Sequence, residues 1–522
     1  MNERTTWGLR VLGAALIVGV LGDALLRVGP WGVNLLSWMV GLLVVMILLT
    51  RWRRIPLPGD GRWLLLPVIV FAAACAWHDS VPLKLLNLLA LLVALSLATL
   101  RTHSGRLQIA GLIEYGLGLI TTGCHALLGM VSLLFRDIHW KDVPRDGWSR
   151  HAMAVGRGLA IAFPLMLLFG GLFMAADAVF EGIINRTFQL DFEELFTHTF
   201  LIAFWTWIVG GFLRGLLLGH EMEGTGSGPP TALSLGFFEI ALPTLRREDD
   251  PDHSSKLLSL GIVETGIVLG LLDVLFLAFV IIQVRYLFGG VALVEVTKGL
   301  TYATYARRGF FELVAVAALV LPLLLVVDWL QRKEKPEHEL LFRVLAGAQV
   351  LMLFVIMASA AQRMRLYQSA YGLTQQRLYA TAFMTWLAVV FLWFVITVLR
   401  GQRKRFAYGA LMAGFLVLAG LHVLNPDDVI IRTNIAHADA GHAFDAKYTL
   451  LLSGDAVPAL VAGLPSLSPP DRSVVASHLL KRWSPTKRPD WRTWDWGRAV
   501  ARRVVRENEE VLREIAAGQT KP

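Results

Sequence analysis

The chain is an all-α, polytopic transmembrane helix bundle of about 11–13 crossings carrying a small helical region outside the membrane at its C-terminal end. Two observations predict this. Apolar runs of the length a roughly 30 Å hydrocarbon core demands, about 20 residues each, recur from Trp7 to Leu424. The composition agrees: 55% of residues are hydrophobic and only 17% charged, against about 25% charged in an average soluble domain.

Taken in order, the expected spans are 9–27, 32–50, 63–78, 82–100, 107–135, 154–180, 198–218, 259–287, 310–330, 340–361, 377–399 and 406–424. The first has a short basic lead like a signal peptide, but a second apolar run follows within a few residues, so it is read as an uncleaved helix. The strongest basic loops are Arg51-Trp52-Arg53-Arg54, Arg332-Lys333-Glu334-Lys335 and Arg400-Gly401-Gln402-Arg403-Lys404-Arg405. The positive-inside rule assigns all three to the cytoplasm. Seven spans separate the first cluster from the second, an odd number, so one of them does not cross. The segment 107–135 is the choice, because Glu114, His125 and the glycines at 111, 116, 118 and 123 suit a broken or re-entrant element buried against protein. The N terminus is then cytoplasmic and the tail extracytoplasmic.

Four regions follow: an N-terminal bundle over 1–218, a flexible cytoplasmic loop over 219–258, a C-terminal bundle over 259–424 and the tail over 425–522. The loop holds Gly224-Thr225-Gly226-Ser227-Gly228-Pro229-Pro230 and an acidic patch at Glu248-Asp249-Asp250. In the tail, Asn425 is expected as N-cap with Pro426 in the first turn and Asp427 and Asp428 at the positive end of the dipole. That helix should stop near Gly441, and Asp445 and Asp455 should cap two short helices beyond it, with Pro458 in a first turn. Val500, Val504, Val511 and Ile515 make an apolar face opposite a Glu509–Arg513 pair. The tail carries fourteen Lys and Arg against twelve Asp and Glu, a balance that fits a solvated interaction module.

The formal charge of +9 is explained by basic span ends facing anionic lipid, and no basic stripe with interleaved aromatics indicates nucleic acid. Cys75 and Cys124 both lie in apolar segments, which excludes a disulfide framework. No phosphate-binding loop, dinucleotide fingerprint, nucleophile elbow or metalloprotease helix is present, and no cofactor is expected. His437, Asp439, His442 and Asp445 have metal-capable side chains, but their spacing matches no standard zinc pattern, and a polar helix exit accounts for them.

Several stretches resemble a bacterial inner-membrane family of unknown function, domain of unknown function 4173. They are Ala175-Ala176-Asp177-Ala178-Val179-Phe180, Tyr286-Leu287-Phe288-Gly289-Gly290, the run from Thr301 to Leu313, and Asn425-Pro426-Asp427 with Asn434, Asp445, Tyr448, Ser453, Asp455 and Pro458. The resemblance implies a multi-spanning fold with a helical tail and brings no chemistry with it. Family members often have an acid between the two tyrosines, where this chain has Thr304.

Two candidate sites stand out. Within the spans, ionisable residues cost about 2.5–3.5 kcal/mol each at the bilayer centre on insertion scales unless paired or wetted. Glu114, Asp177, Glu264 and Asp273 are the candidates for an intramembrane polar site, with Asp23, Arg285 and Asp328 nearer the ends. Glu264 and Asp273, nine apart, fall on opposite helix faces. The second candidate is an outer-interface ligand site on the linker after Gly289-Gly290, where Tyr302, Tyr305, Arg307, Arg308 and Glu312 gather. An interfacial helix with aromatic anchors and snorkelling arginines explains the same residues. Three functional classes stay open: a transporter, channel or ligand sensor; an interaction or signalling scaffold whose tail binds an envelope partner; and an outer-interface lipid or glycan enzyme. The lipid bilayer is the one partner the sequence demands.

Overall fold

The computed structural model describes residues 2–55, 59–100, 107–140, 192–219, 232–234, 239–241, 261–296, 310–331, 336–484 and 490–518, together with 169, 172, 173 and 176. Most of the expected span 154–180, most of the loop 219–258 and the linker tyrosines and arginines fall outside these residues.

Ten helices among the described residues are long and apolar enough to cross a membrane. The N-terminal group is α1 (Glu3–Leu26), α2 (Val33–Trp52), the shorter α3 (Leu65–Trp77), α4 (Val81–Ala98), α5 (Leu112–Ser132) and α6 (Phe192–Leu218). The second group is α7 (Ile262–Val296), α8 (Phe310–Leu330), α9 (Pro336–Tyr371), α10 (Gln375–Thr397) and α11 (Phe406–Leu424). A small antiparallel pair, β1 (Ala232–Ser234) and β2 (Glu239–Ala241), aligns Leu233 with Ile240 in the intervening loop. The tail folds as α12 (Pro426–Asp439), α13 (Ala446–Thr449), α14 (Val457–Gly463), α15 (Pro469–Trp483), α16 (Trp496–Glu507) and α17 (Glu509–Ala516).

The span edges follow local chemistry. Asn2 accepts from Arg4 N to cap α1, and proline stands in the first turn of α4, α12, α14 and α15. α12 stops where Gly441 takes a φ of 90°, a conformation that costs glycine nothing. Two expectations fail here. Asn425 is left-handed and makes no side-chain cap bond, leaving Pro426 and the two acids to start α12. The cap after Leu452 is Ser453, whose hydroxyl accepts from Asp455 N, while the Asp455 carboxylate turns away toward the bundle. Asp445 does cap α13, accepting from Tyr448 N at 3.0 Å. A third difference is that α7 runs through Gly289-Gly290 to Val296 instead of ending there.

The bundle has two ends. At one, Arg10 lies 4.0 Å over the Trp52 ring and Trp7 stacks edge-on to it, joining the start of α1 to the basic end of α2. At the other, the tail packs on the turns between α1 and α2, α3 and α4, and α9 and α10. The apolar cores cut across these ends: one buried cluster runs from Trp7 through Val18, Met46 and Leu83 into Ile430, Val457, Val475 and Leu512 of the tail, a second joins α7 to α11, and a smaller third gathers Leu64, Leu97, Leu107 and Ala407. The tail and the N-terminal helices therefore bury their apolar faces in one continuous core.

α5 is placed unusually. Its first turn sits at the basic end, where Tyr115 donates to Leu107 O at 3.0 Å and a Cβ at Gly118 would meet Leu100. The helix continues as a π-helical turn, Leu133–Asp137, and Asp137 is bound to Arg4 at the same end. Between them it crosses α6 at a close approach of Gly129 to Gly211.

Candidate functional site

The turn between α3 and α4, His78-Asp79-Ser80, is the centre of a polar network shared with the tail. Trp77 is the last residue of α3, and Pro82 in the first turn of α4 restarts the helix at once, so three consecutive polar residues are held on the end of the bundle. Asp79 N and Ser80 N donate to the Asp455 carboxylate at 2.8 and 3.1 Å. In return, Gly454 N donates to the Asp79 carboxylate at 3.0 Å. Each aspartate thus grips the backbone of the other's segment.

Cations complete the network. Arg498 of α16 lies 2.9 Å from Asp79 and 2.6 Å from Asp495, and Lys84 of α4 lies 2.9 Å from Asp495 and 3.5 Å from Asp79. Arg498 also donates to Thr493 O. His78 Nδ1 stands 3.4 Å from Asp455 Oδ1, its Nε2 is 3.0 Å from His422 O, and His422 Nε2 reaches Asn87 Oδ1 at 2.8 Å. Asp495 is fully buried, and Asp455 and Arg498 are close to it. Gly497 is obligatory in this arrangement, because a Cβ there would overlap Asp455 Oδ1 and come within 3.1 Å of Asp79 N.

A second tier joins the tail to α10. Asp427 accepts from Gln375 Nε2 at 2.8 Å and from Ser453 Oγ and N at 2.6 and 3.2 Å. The Tyr448 hydroxyl accepts from Gln375 N at 2.7 Å. Asn434 binds both backbone groups of Leu373, accepting at 2.6 Å and donating at 2.9 Å, which fixes the turn in which Gly372 has a φ of 69°. Burial pushes the Asp427 carboxyl above its ordinary range, against the lowering pull of the Ser453 and Gln375 hydrogen bonds. Burial likewise raises the Tyr448 phenol.

Of the residues expected to form an intramembrane site, the three that are described, Glu114, Glu264 and Asp273, are not brought together. Glu114 caps its own helix, accepting from Gly111 N at 3.4 Å near the basic end. Glu264 is exposed in the first turn of α7. Asp273 is deeper, with both carboxylate oxygens buried and no hydrogen-bond partner. Asp177, Tyr302, Tyr305, Arg307 and Arg308 lie outside the described residues, and Glu312 is exposed at the start of α8. No group of three or more metal-capable side chains occurs among the described residues.

A different set of charges proves central. Lys84, Asn87 and His422 sit inside apolar spans, and that misplacement was the available signal. Asp427, Asn434, Tyr448, Ser453 and Asp455, distant from the α3–α4 turn in sequence, are among the tail residues that carried the family resemblance, and these five bind the bundle or its immediate contacts.

The family model for DUF4153, a domain of unknown function, matches residues 65–463. The chain belongs to this family. The label expected from the sequence, domain 4173, is not the one that matches. No curated protein and no solved structure matches the chain. The DUF4153 region contains both aspartates of the reciprocal clasp, Lys84 and the whole Asp427 tier, whereas Asp495 and Arg498 lie beyond it. The last part of the chain therefore supplies a cation and an acid that complete a site begun within the family domain.

Proposed function

We propose that this DUF4153 member is a membrane-embedded sensor or signalling module whose tail, docked on the end of the bundle opposite the basic loops, is the element that responds. The observation that carries the reading is the reciprocal Asp79–Asp455 clasp inside a buried network of Lys84, Asp495 and Arg498. Buried ion pairs add little stability over apolar packing, because desolvation offsets the attraction, whereas breaking one partner is severe. Such a joint is all-or-none, which suits a two-state element better than a passive glue. The responding ligand is an external solute or an envelope protein engaging the tail.

The orientation is part of the proposal. The basic segments at one end support a cytoplasmic N terminus and an extracytoplasmic tail in a bacterial cytoplasmic membrane. The contacts of both ends of the helical run Leu112–Asp137 with the basic end support a segment that lies along that end without crossing. A dual reporter fused after Pro522 tests this: phosphatase activity is expected, and cytoplasmic fluorescence would overturn it. Hydrogen exchange of the full-length protein in nanodiscs tests the switch, with tail amides expected to open as one unit when Arg498 is replaced by Met; residue-by-residue fraying would sink the reading.

Transport is the second reading, favoured by one observation. Asp273 and the fully buried Gln349 both carry polar side-chain atoms without partners. Gly266 packs against Leu341, and with both helices starting at the basic end the register sets Asp273 and Gln349 at one level of α7 and α9. Proton or cation flux in liposomes that is unchanged in Asp273→Asn would remove this reading.

A further inference from the structure

The basic end of the bundle holds a half-open cavity of about 520 Å³ between the end of α8, the start of α9 and the turn joining α10 to α11. Four cations line it, Arg343, Arg403, Lys404 and Arg405, against two acids, Asp328 and Glu339. Arg343 lies 2.9 Å from Glu339 and Arg403 3.8 Å from Asp328, and among the described lining residues the cations outnumber the acids four to two. Phe342 and Val398 add apolar wall at the point where the helices end. Basic pockets between membrane helices at this level are suited to anionic headgroups.

A second observation comes from Gln331. Its side chain lines the same cavity, the residue is only 6% exposed, and Nε2 donates to His338 O. Oε1 is buried with no donor. A buried acceptor of this kind calls for a hydroxyl or amine from whatever occupies the space.

We infer that this cavity binds a phosphate ester bearing a free hydroxyl, the phosphate held by the arginines and lysine and the hydroxyl donating to Gln331. This is independent of the tail and of its proposed switching. Two sources share the chemistry: the headgroup of phosphatidylglycerol, with acyl chains along the bundle, and a soluble polyol phosphate.

Native mass spectrometry of the delipidated full-length protein with phosphatidylglycerol, phosphatidic acid or phosphatidylcholine, and calorimetry with glycerol 3-phosphate, test it. Phosphatidylglycerol is expected to be retained about tenfold over phosphatidylcholine, in keeping with charge-assisted hydrogen bonds being the strong ones. Lys404→Gln with Arg405→Gln, both exposed positions that leave the core intact, should reduce that preference severalfold. Gln331→Leu should lower phosphatidylglycerol toward phosphatidic acid, which lacks the glycerol hydroxyl. Glycerol 3-phosphate binding that the same charge variants weaken, without lipid preference, supports the inference and assigns the soluble source. Equal retention of phosphatidylglycerol and phosphatidylcholine without glycerol 3-phosphate binding would overturn it. So would a preference that the Lys404 and Arg405 replacements leave unchanged.

Discussion

Asp79 and Asp455 hold one another by side chain to backbone, not side chain to side chain: Asp79 N lies 2.8 Å from the Asp455 carboxylate, and Gly454 N lies 3.0 Å from the Asp79 carboxylate. Two like charges tolerate this closeness because peptide N–H groups and the Arg498 and Lys84 cations surround them. A side-chain pair could slide as its rotamers changed. Backbone-to-carboxylate bonds made in both directions fix the register of a loop against a loop.

Removing one carboxylate should release the tail. Asp455→Ala strands Asp79 N, Ser80 N and His78 and leaves the cations of the network under-balanced. Breaking one side of a buried pair costs about 3–5 kcal/mol, so the tail should lose protection in hydrogen exchange and admit protease between 425 and 518. If Asp455→Ala keeps wild-type protection throughout α14 and α16, the clasp does not hold the tail.

The bundle's other end has its own buried pair, and it predicts a separate failure. Asp137, fully buried, accepts from Arg4 at 2.6 and 2.8 Å and from Arg214 at 2.8 Å, and Arg214 is itself 2% exposed. Asp137→Ala leaves the Arg214 guanidinium unpaired between α1, α5 and α6, at a cost of about 3–5 kcal/mol. Arg4→Ala should be milder, since Arg4 is partly solvated and Asp137 keeps Arg214. A thermal melt that ranks Arg4→Ala as the more damaging would contradict the geometry.

How much of this was legible follows from the range of each interaction. α8 and α11 match their expected bounds because about twenty apolar residues closed by charge define a span locally. Pro426 and Gly441 mark α12 for the same reason. The clasp was out of reach: His78-Asp79-Ser80 forms a short polar turn like many others, and its partners lie some 375 residues away. Sequence reasoning ranked acids by depth and chose Glu114, Asp177, Glu264 and Asp273; of these, Glu114 bonds only Gly111 of its own first turn and Glu264 is exposed. It passed over Lys84, Asn87, Arg214 and His422, polar residues inside spans whose cost is offset only by distant partners. Asp455 was misread because a helix-start aspartate is usually a cap, and here Ser453 had already taken that place.

The tail should dock more firmly at lower pH through Asp427. Burial holds its carboxyl above the ordinary value of 3.8, opposed by hydrogen bonds from Ser453 and Gln375 and assisted by the nearby Asp455 charge. The folded state then keeps a proton that the unfolded chain has released, so this contribution is complete below the unfolded value and declines as pH rises through the folded one. The groups around it are Gln375 of α10, Ser453, Asp455 and Tyr448. Asp427→Asn imitates the neutral form, so its melting temperature should show a flatter fall with pH than the wild type. Comparing the two proteins cancels titrations common to both; superimposable slopes would remove Asp427 from the argument.

Gly497 offers the least ambiguous probe, because its role is space alone. It is the second residue of α16, where Asp495 caps the helix by accepting from Arg498 N at 2.7 Å. Alanine suits a helix better than glycine by about 1 kcal/mol, so in open space Gly497→Ala would stabilise. Here the new methyl would overlap Asp455 Oδ1 and press on Asp79 N, and neither the carboxylate nor the backbone can yield without breaking the reciprocal bonds. Overpacking of this kind costs about 1–3 kcal/mol. Gly497→Ala should therefore lower the melting temperature and open the tail, whereas Gly441→Ala, where no atom lies within 4 Å but φ is 90°, should cost only the local strain at the end of α12 and leave the clasp closed. Equal loss of tail protection in both variants would mean that the close packing around Asp455 has no special part in holding the tail.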